Sequence, residues 1–199
     1  PGFKVMPSGS NNHAVDPSGP EIMTTFFVLP PQEDVTVTIS SDQSWVTFNP
    51  QTITVTPENY DQVRDIEVTV DANAPRGATF NVIYETTSTD EICNDLRESW
   101  EYNVNTFSVP ASLSVTGPSE IEFAIPLSAS DPDRGQAFTF RITEQPANGT
   151  VYIDESNAFY TSNVGFVGQD SFKYVSNDGL IDSVQMGTVG ITVQSSGAY

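Results

Sequence analysis

Alternation of apolar and polar residues at a period of two runs through this chain, and no stretch repeats at the helical period. DVTVTIS (Asp34–Ser40) puts Val35, Val37 and Ile39 on one face, and QVRDIEVTVD (Gln62–Asp71) does the same with Ile66, Val68 and Val70. TFNVIYETT aligns Phe80, Val82 and Tyr84, and WEYNV aligns Trp100, Tyr102 and Val104. In the second half EIEFAIPLS aligns Ile121, Phe123, Ile125 and Leu127, and AFTFRIT aligns Phe138, Phe140 and Ile142. A strand sends successive side chains to opposite faces, so each run describes a strand with one face against a core. The last run, SVQMGTVGITV, changes phase between Met186 and Val189, which predicts a bulge near Gly187–Thr188.

Turn chemistry (NPQ, TPENYD, NG, DG) recurs about every 8–12 residues, a spacing that fits short strands folded into β-sandwiches. The chain has 199 residues, enough for two domains of ordinary size. The expected class is all-β: two tandem β-sandwich domains of Ig-like or cadherin-like type, with an extended N-terminal arm. Residues 1–20, rich in Gly, Ser, Asn and Pro without periodicity, form the arm or a linker; residues 21–108 form the first module and 109–199 the second. The arm has the shape to add a strand to a neighbouring sheet edge, with a plain linker as the alternative.

Charge narrows the function. Acidic residues number 26 against 7 basic ones, a net charge of -19. Residues 21–108 hold 15 acids and 3 bases, and residues 109–199 hold 10 and 3, so the charge covers both modules. Such a field repels phosphate backbones, which argues against nucleic-acid partners, and attracts divalent cations. No apolar run reaches the ~20 residues of a membrane-spanning helix, so no membrane insertion is expected of this segment. The chain starts at Pro1 without a Met, as expected of a mature fragment or one segment of a longer polypeptide.

The second half carries five spaced elements in order: PLSASDPDRG, FTFRITEQPANGTV, AFYT, GFVGQDSFKYVSNDG and GITVQ. Together they resemble the cadherin-like or Ig-like tandem repeats of large surface proteins, with YTSN standing where that family has a Tyr-Thr-Pro strand end. The first half, through VLPPQEDVTVTISSD and VTFNPQTITVTPENYDQVRDIEVTVDAN, resembles Calx-β-like surface-protein repeats, with Tyr60 where Trp is frequent. These resemblances imply extracellular or cell-surface exposure, tandem stacking on neighbouring modules of the same or identical chains, calcium-dependent rigidity, and adhesion or fibre formation without catalysis. The alternative is a carbohydrate- or protein-ligand-binding module of an adhesin.

Catalytic constellations are thin. His13 is the only histidine and Cys93 the only cysteine, too few for a zinc site or an internal disulfide, and His13 lies in the arm, far from a rigid nucleophile. Cys93, in the acidic insert STDEICNDLRE, reads as a small hydrophobe beside a turn. Calcium is the expected cofactor. Asp131 and Asp133 of DPD stand two apart and can face one side of a bent loop, and family-like strand pairing would bring Asp178 of NDG nearby. The competing reading makes Asp131 and Asp133 Asx turns and Asp178 part of a type I′ hairpin signal. Asp170 reads as a turn-former binding backbone amides. A second acidic group, Asp90, Glu91, Asp95 and Glu98, reads as solvated loop or as a second cation cluster. Asn148 in Asn-Gly-Thr fits a glycosylation sequon and also a tight turn needing glycine's backbone angles. Trp45, Trp100, Tyr160 and Tyr174 read either as core or as a sugar-stacking platform.

Overall fold

The computed structural model describes residues 14–25, 27–133 and 137–195. His13 and most of the expected arm lie outside them. Every regular element described is a strand, and the chain divides into two compact units, Pro1–Asn105 and Thr106–Tyr199.

Unit 1 contains β1 (Ala14–Val15), β2 (Glu21–Thr25), β3 (Val35–Ser41), β4 (Val46–Asn49), β5 (Thr52–Val55), β6 (Arg64–Val70), β7 (Thr79–Ser88) and β8 (Arg97–Val104). One sheet has the order β1-β8-β7-β3-β5 and the other the order β2-β6-β4. The period-two residues of both sheets meet in one core: Val35, Val37, Ile39, Phe80 and Val82 from the first, Met23, Phe48, Ile66, Val68 and Val70 from the second. Each such side chain, fully buried, contributes about 1.5–3 kcal/mol of transfer free energy, so the alternation itself drives the sandwich closed. Trp45 meets the Phe80 ring edge-on, and Phe80 stacks on Tyr102.

Unit 2 contains β9 (Val109–Pro110), β10 (Leu113–Pro118), β11 (Phe123–Pro126), β12 (Ala129–Ser130), β13 (Thr139–Glu144), β14 (Gly149–Asp154), β15 (Asn157–Ser162), β16 (Gly168–Asn177) and β17 (Gly187–Gln194). A sheet of order β10-β17-β16-β13 packs on one of order β11-β15-β14, with β9 and β12 as a two-stranded ribbon. Its core joins Ile125, Val151, Ala158 and Tyr160 to Phe172, Tyr174, Val189, Ile191 and Val193. Both units share one feature of connectivity. The first strand of the longer sheet lies parallel to the last: β1 beside β8, and β10 beside β17.

Three local expectations differ from what is found. The 1–20 stretch is not wholly an arm, because Ala14 and Val15 are buried in β1 and pair with Asn103 and Val104. The phase change before Val189 is not a bulge: β17 begins at Gly187, and Val184 and Met186 are exposed in the preceding loop. The register shift of that sheet falls instead between Ile142 and Glu144. Ile121 precedes β11 and is exposed rather than facing the core.

Candidate functional site

The DPD corner sits where the chain enters unit 2. Asp133 donates its backbone N–H to Asp131 Oδ1 at 2.8 Å, which is an Asx turn. Thr106, on the incoming segment, ties to both carboxylates. Its Oγ1–H lies 2.9 Å from Asp131 Oδ1 and 2.9 Å from Asp133 Oδ2, and its N–H donates to Asp133 Oδ2 at 2.7 Å. The other oxygen of Asp131, Oδ2, is buried and has no hydrogen-bond partner. Burial pushes the Asp131 carboxyl above its usual range, and the charges of Asp133 and Asp178 push it further. Of the three carboxylates expected to share an ion, Asp133 and Asp178 thus bear on Asp131 through their charge. They do not form a ready metal cage, and no group of three or more His, Cys, Asp or Glu among the described residues is arranged as one. The Asx turn accounts for Asp131 Oδ1, Thr106 for Asp133 and the loop amides for Asp178, leaving Asp131 Oδ2 as the atom with unmet bonding capacity.

Asp178 is buried, and its Oδ1 accepts N–H bonds from Leu180 and Ile181, both at 2.8 Å. These bonds fold the loop closed by the Asn177–Asp182 bridge. The expected type I′ hairpin does not form, since it needs positive φ at both central residues and here only Gly179 has it (φ 96). A side-chain acceptor makes the turn in place of backbone angles.

Asp170 is a heavily used carboxylate. It accepts N–H bonds from Ala147 and Asn148 at 3.0 Å each, from Ser171 at 2.9 Å, and the Tyr160 hydroxyl at 2.9 Å. Burial raises the Tyr160 hydroxyl far above its ordinary pKa, and the neighbouring Asp170 carboxylate adds to the rise, so Tyr160 stays a donor. The turn-former reading of Asp170 describes these bonds; the Tyr160 partner, ten residues upstream, carried no sequence signal. Asn148 is half-buried in the turn that Asp170 holds, and its carbonyl accepts the Asn163 N–H at 2.8 Å. Gly149 beside it is required for room rather than for backbone angle: an added Cβ would lie 2.5 Å from the Tyr160 ring and 2.6 Å from the Thr161 carbonyl.

Elsewhere the candidates resolve into architecture. Asp90 accepts N–H bonds from Gln32 (2.8 Å) and Ile92 (2.9 Å), fixing its own loop, while Glu91 and Asp95 are exposed. Cys93 is buried beside Asp90, and that burial, then the carboxylate, pushes its thiol up, away from reactive thiolate. Tyr160 and Tyr174 are fully buried, so the four-ring platform does not exist. A different aromatic pair does lie at the surface: exposed Tyr152 stacks on half-buried Phe159 across β14 and β15 with centroids 5.2 Å apart.

One site in unit 1 gave no sequence signal. Asp16 is buried and accepts from Arg76 Nη1 (2.8 Å), the Ser18 N–H (2.7 Å) and Asn105 Nδ2 (3.4 Å). The same Arg76 nitrogen donates to the Asn105 carbonyl at 2.8 Å. This clasp fastens the first strand to the end of the last.

No helix among the described residues is long and apolar enough to cross a membrane. No curated protein matches the chain. Solved structures similar to it include a protein of unknown function from Porphyromonas gingivalis W83 (12% identity, 98% of this chain, 100% of that one, TM-score 0.40). Others are the fibronectin(III)-like modules of Clostridium thermocellum CbhA (12%, 98% and 98%, TM-score 0.38) and human protocadherin-24 EC1-2 (12%, 99% and 99%, TM-score 0.34). Residues 103–192, which run from the end of β8 through most of β17, match the family model of the bacterial Ig domain, so this part of the chain is similar to that family.

Proposed function

We propose that this chain is a non-enzymatic structural segment of an extracellular surface or fibre protein, with Ig-like modules stacked in tandem on neighbouring modules of the same or identical chains. The first unit is read as a Calx-β-like repeat and the second as a cadherin-like one. The observation that carries the reading is where the acidic side chains go. Asp16, Asp90, Asp133, Asp170 and Asp178 all accept backbone amide bonds in turns or strand clasps, which supports a structural use of these carboxylates.

Asp131 makes its Asx turn through Oδ1 but leaves Oδ2 without a donor, and that atom supports the calcium reading. A buried carboxylate oxygen without a donor, pressed by two neighbouring negative charges, suits a hard oxygen-seeking cation. Asp131, with Asp133 and Asp178 beside it, would hold the ion and stiffen the start of the second module. When bound, calcium supplies positive charge at the corner; Thr106 and the Asx turn hold the corner's shape. The test is a thermal melt in excess chelator and then in millimolar calcium. A higher melting temperature of unit 2 with calcium is expected, and an unchanged one removes calcium from the account while leaving the modules in it.

A second reading, carbohydrate binding by an adhesin module, is favoured by exposed Tyr152 stacked on half-buried Phe159, with Glu122 accepting the Tyr152 hydroxyl at 3.3 Å. It requires glycan-array binding that Tyr152→Ala abolishes, and an unaltered array profile in that variant excludes it. Asn148 remains a glycosylation candidate, to be checked by mass spectrometry of the natively expressed protein.

A further inference from the structure

The outer face of the β11-β15-β14 sheet carries one apolar row. Ala124, Phe159 and Tyr152 stand directly opposite one another on its three strands. Tyr152 does not stand upright on β14. Its ring stacks on Phe159 of β15 at an interplanar angle of 14°, and its hydroxyl donates at 3.3 Å to Oε1 of Glu122, the residue before β11. Neighbouring strands lie ~4.8 Å apart, so the side chain must lean across β15 toward the far edge strand to make that bond. One ring face then rests on Phe159 and the other turns to solvent. Phe159 beneath and Glu122 at the tip hold the ring flat, and Tyr152 is still 52% exposed. A pair that served packing alone would close both rings from water; here one ring supports the other at the surface.

Polar groups frame this ring on both sides. The next cross-strand row one way is Thr150 and Thr161, and the other way Asp154 and Asn157. Glu122, Thr150 and Asp154 are exposed. Some loss of solvent, then the charge of Glu122 and then that of Asp154, push the Tyr152 hydroxyl above its usual range, so both carboxylates are close enough to act on it. A flat aromatic face rimmed by hydrogen-bonding groups fits a pyranose ring, which lays its axial C–H bonds on the aromatic face and turns its equatorial hydroxyls to the rim. Carboxylates at the rim accept from those hydroxyls and repel uronate, sulfate and sialyl groups. The chain's net charge of -19 adds to the repulsion.

We propose that Tyr152, lying on Phe159 and held by Glu122, is a platform for a neutral pyranose unit, and that Glu122 and Asp154 keep acidic glycans off it. That ligand class narrows the carbohydrate reading above and depends on it.

The experiment is a titration of the isotope-labelled full chain, read by backbone amide shifts in two-dimensional NMR. The neutral probes are the β-linked hexaoses of glucose, xylose, galactose and mannose; the acidic probe is hexamannuronate, which differs from mannohexaose in its carboxylates alone. A neutral hexaose is expected to shift the amides of Tyr152, Phe159 and Asn157, with hexamannuronate silent there. Hexamannuronate binding at this face as tightly as the best neutral probe overturns the proposal and leaves the carbohydrate reading standing. Silence of every probe overturns both. Tyr152→Ala should abolish the shifts, and Tyr152→Phe, which keeps the ring and loses the Glu122 bond, should bind several-fold more weakly; the same spectra show that each variant is folded. Undiminished binding by Tyr152→Ala overturns the platform. Glu122→Gln combined with Asp154→Asn should narrow the gap between mannohexaose and hexamannuronate, and an unchanged gap overturns the role given to the two carboxylates.

Discussion

Asp16→Ala should unfasten unit 1 without touching its core. Asp16 is 3% exposed, and the Arg76 side chain opposite it is 25% exposed. Removing one partner of a buried ion pair costs ~3–5 kcal/mol. Arg76 is a quarter exposed and keeps its bond to the Asn105 carbonyl, so solvent and that carbonyl offset part of the loss. A cost of about 2–3 kcal/mol remains, which at a slope of ~1–1.5 kcal/mol per molar urea lowers the midpoint by roughly 2 M. Tryptophan fluorescence reads this unit alone, because the chain's 2 tryptophans, Trp45 and Trp100, both lie in it. Asp16→Asn should cost less, since one acceptor oxygen is kept. The pH dependence has a definite sign. Burial alone would raise the Asp16 carboxyl, but bonds from Ser18 and Arg76 together hold it below its ordinary value. Its stabilisation is therefore present above the unfolded pKa of about 3.9 and is lost as acid carries the pH through the folded one. A midpoint shift under ~0.4 M urea for Asp16→Ala, equivalent to about half a kcal/mol, would refute the clasp as a structural element.

Gly149→Ala should destabilise unit 2 by about 1–3 kcal/mol in urea unfolding followed by circular dichroism, because the methyl meets the Tyr160 ring and a backbone carbonyl at once. Asp131 has the opposite pH sign to Asp16. Its carboxyl is raised by burial and by Asp133 and Asp178, so in chelator unit 2 should gain stability as pH falls toward that raised value, and Asp131→Asn should flatten this limb. Calcium at 5 mM should add ~1 kcal/mol for a dissociation constant near 10⁻³ M and ~2.3 kcal/mol near 10⁻⁴ M. That is roughly 4–8 °C of melting temperature per kcal/mol for a unit this small, and Asp131→Asn should lose the gain.

The strands were legible because a core face imposes a strict period: Val35, Val37 and Ile39, or Val189, Ile191 and Val193, are each buried as the alternation requires. β1 was not, because two residues carry no period and Ala14–Val15 is defined only by the strand it joins. The phase change near Gly187 was real but marked the start of β17, since a run of alternating residues does not say where pairing stops. Asp170 and Asp178 were legible as turn-formers because their amide partners are local or belong to a known turn. The Asp16 clasp was invisible because Arg76 and Asn105 lie 60 and 89 residues away in sequence. Gly149 was right for the wrong reason: Asn-Gly signals a turn, whereas the need is for space under a ring that only the folded chain brings close. The unpartnered oxygen of Asp131 depends on which donors reach it, a property of three dimensions alone.

The central claim is that the patterned acids of unit 2 build the module, with one oxygen of Asp131, Oδ2, left over. Urea unfolding of Asp170→Asn and Asp131→Asn, side by side in chelator, tests it most directly. Asp170→Asn turns an acceptor shared by three backbone amides and Tyr160 into a group that must present a donor to one of them, a loss of about 2–4 kcal/mol. Asp131→Asn keeps an acceptor for the Asp133 and Thr106 bonds and removes a repelled charge whose other oxygen has no donor, so it should leave unit 2 equally stable or stabilise it by up to ~1 kcal/mol. Opposite signs are the expected result; an innocuous Asp170→Asn, or an Asp131→Asn as damaging as it, would contradict the account.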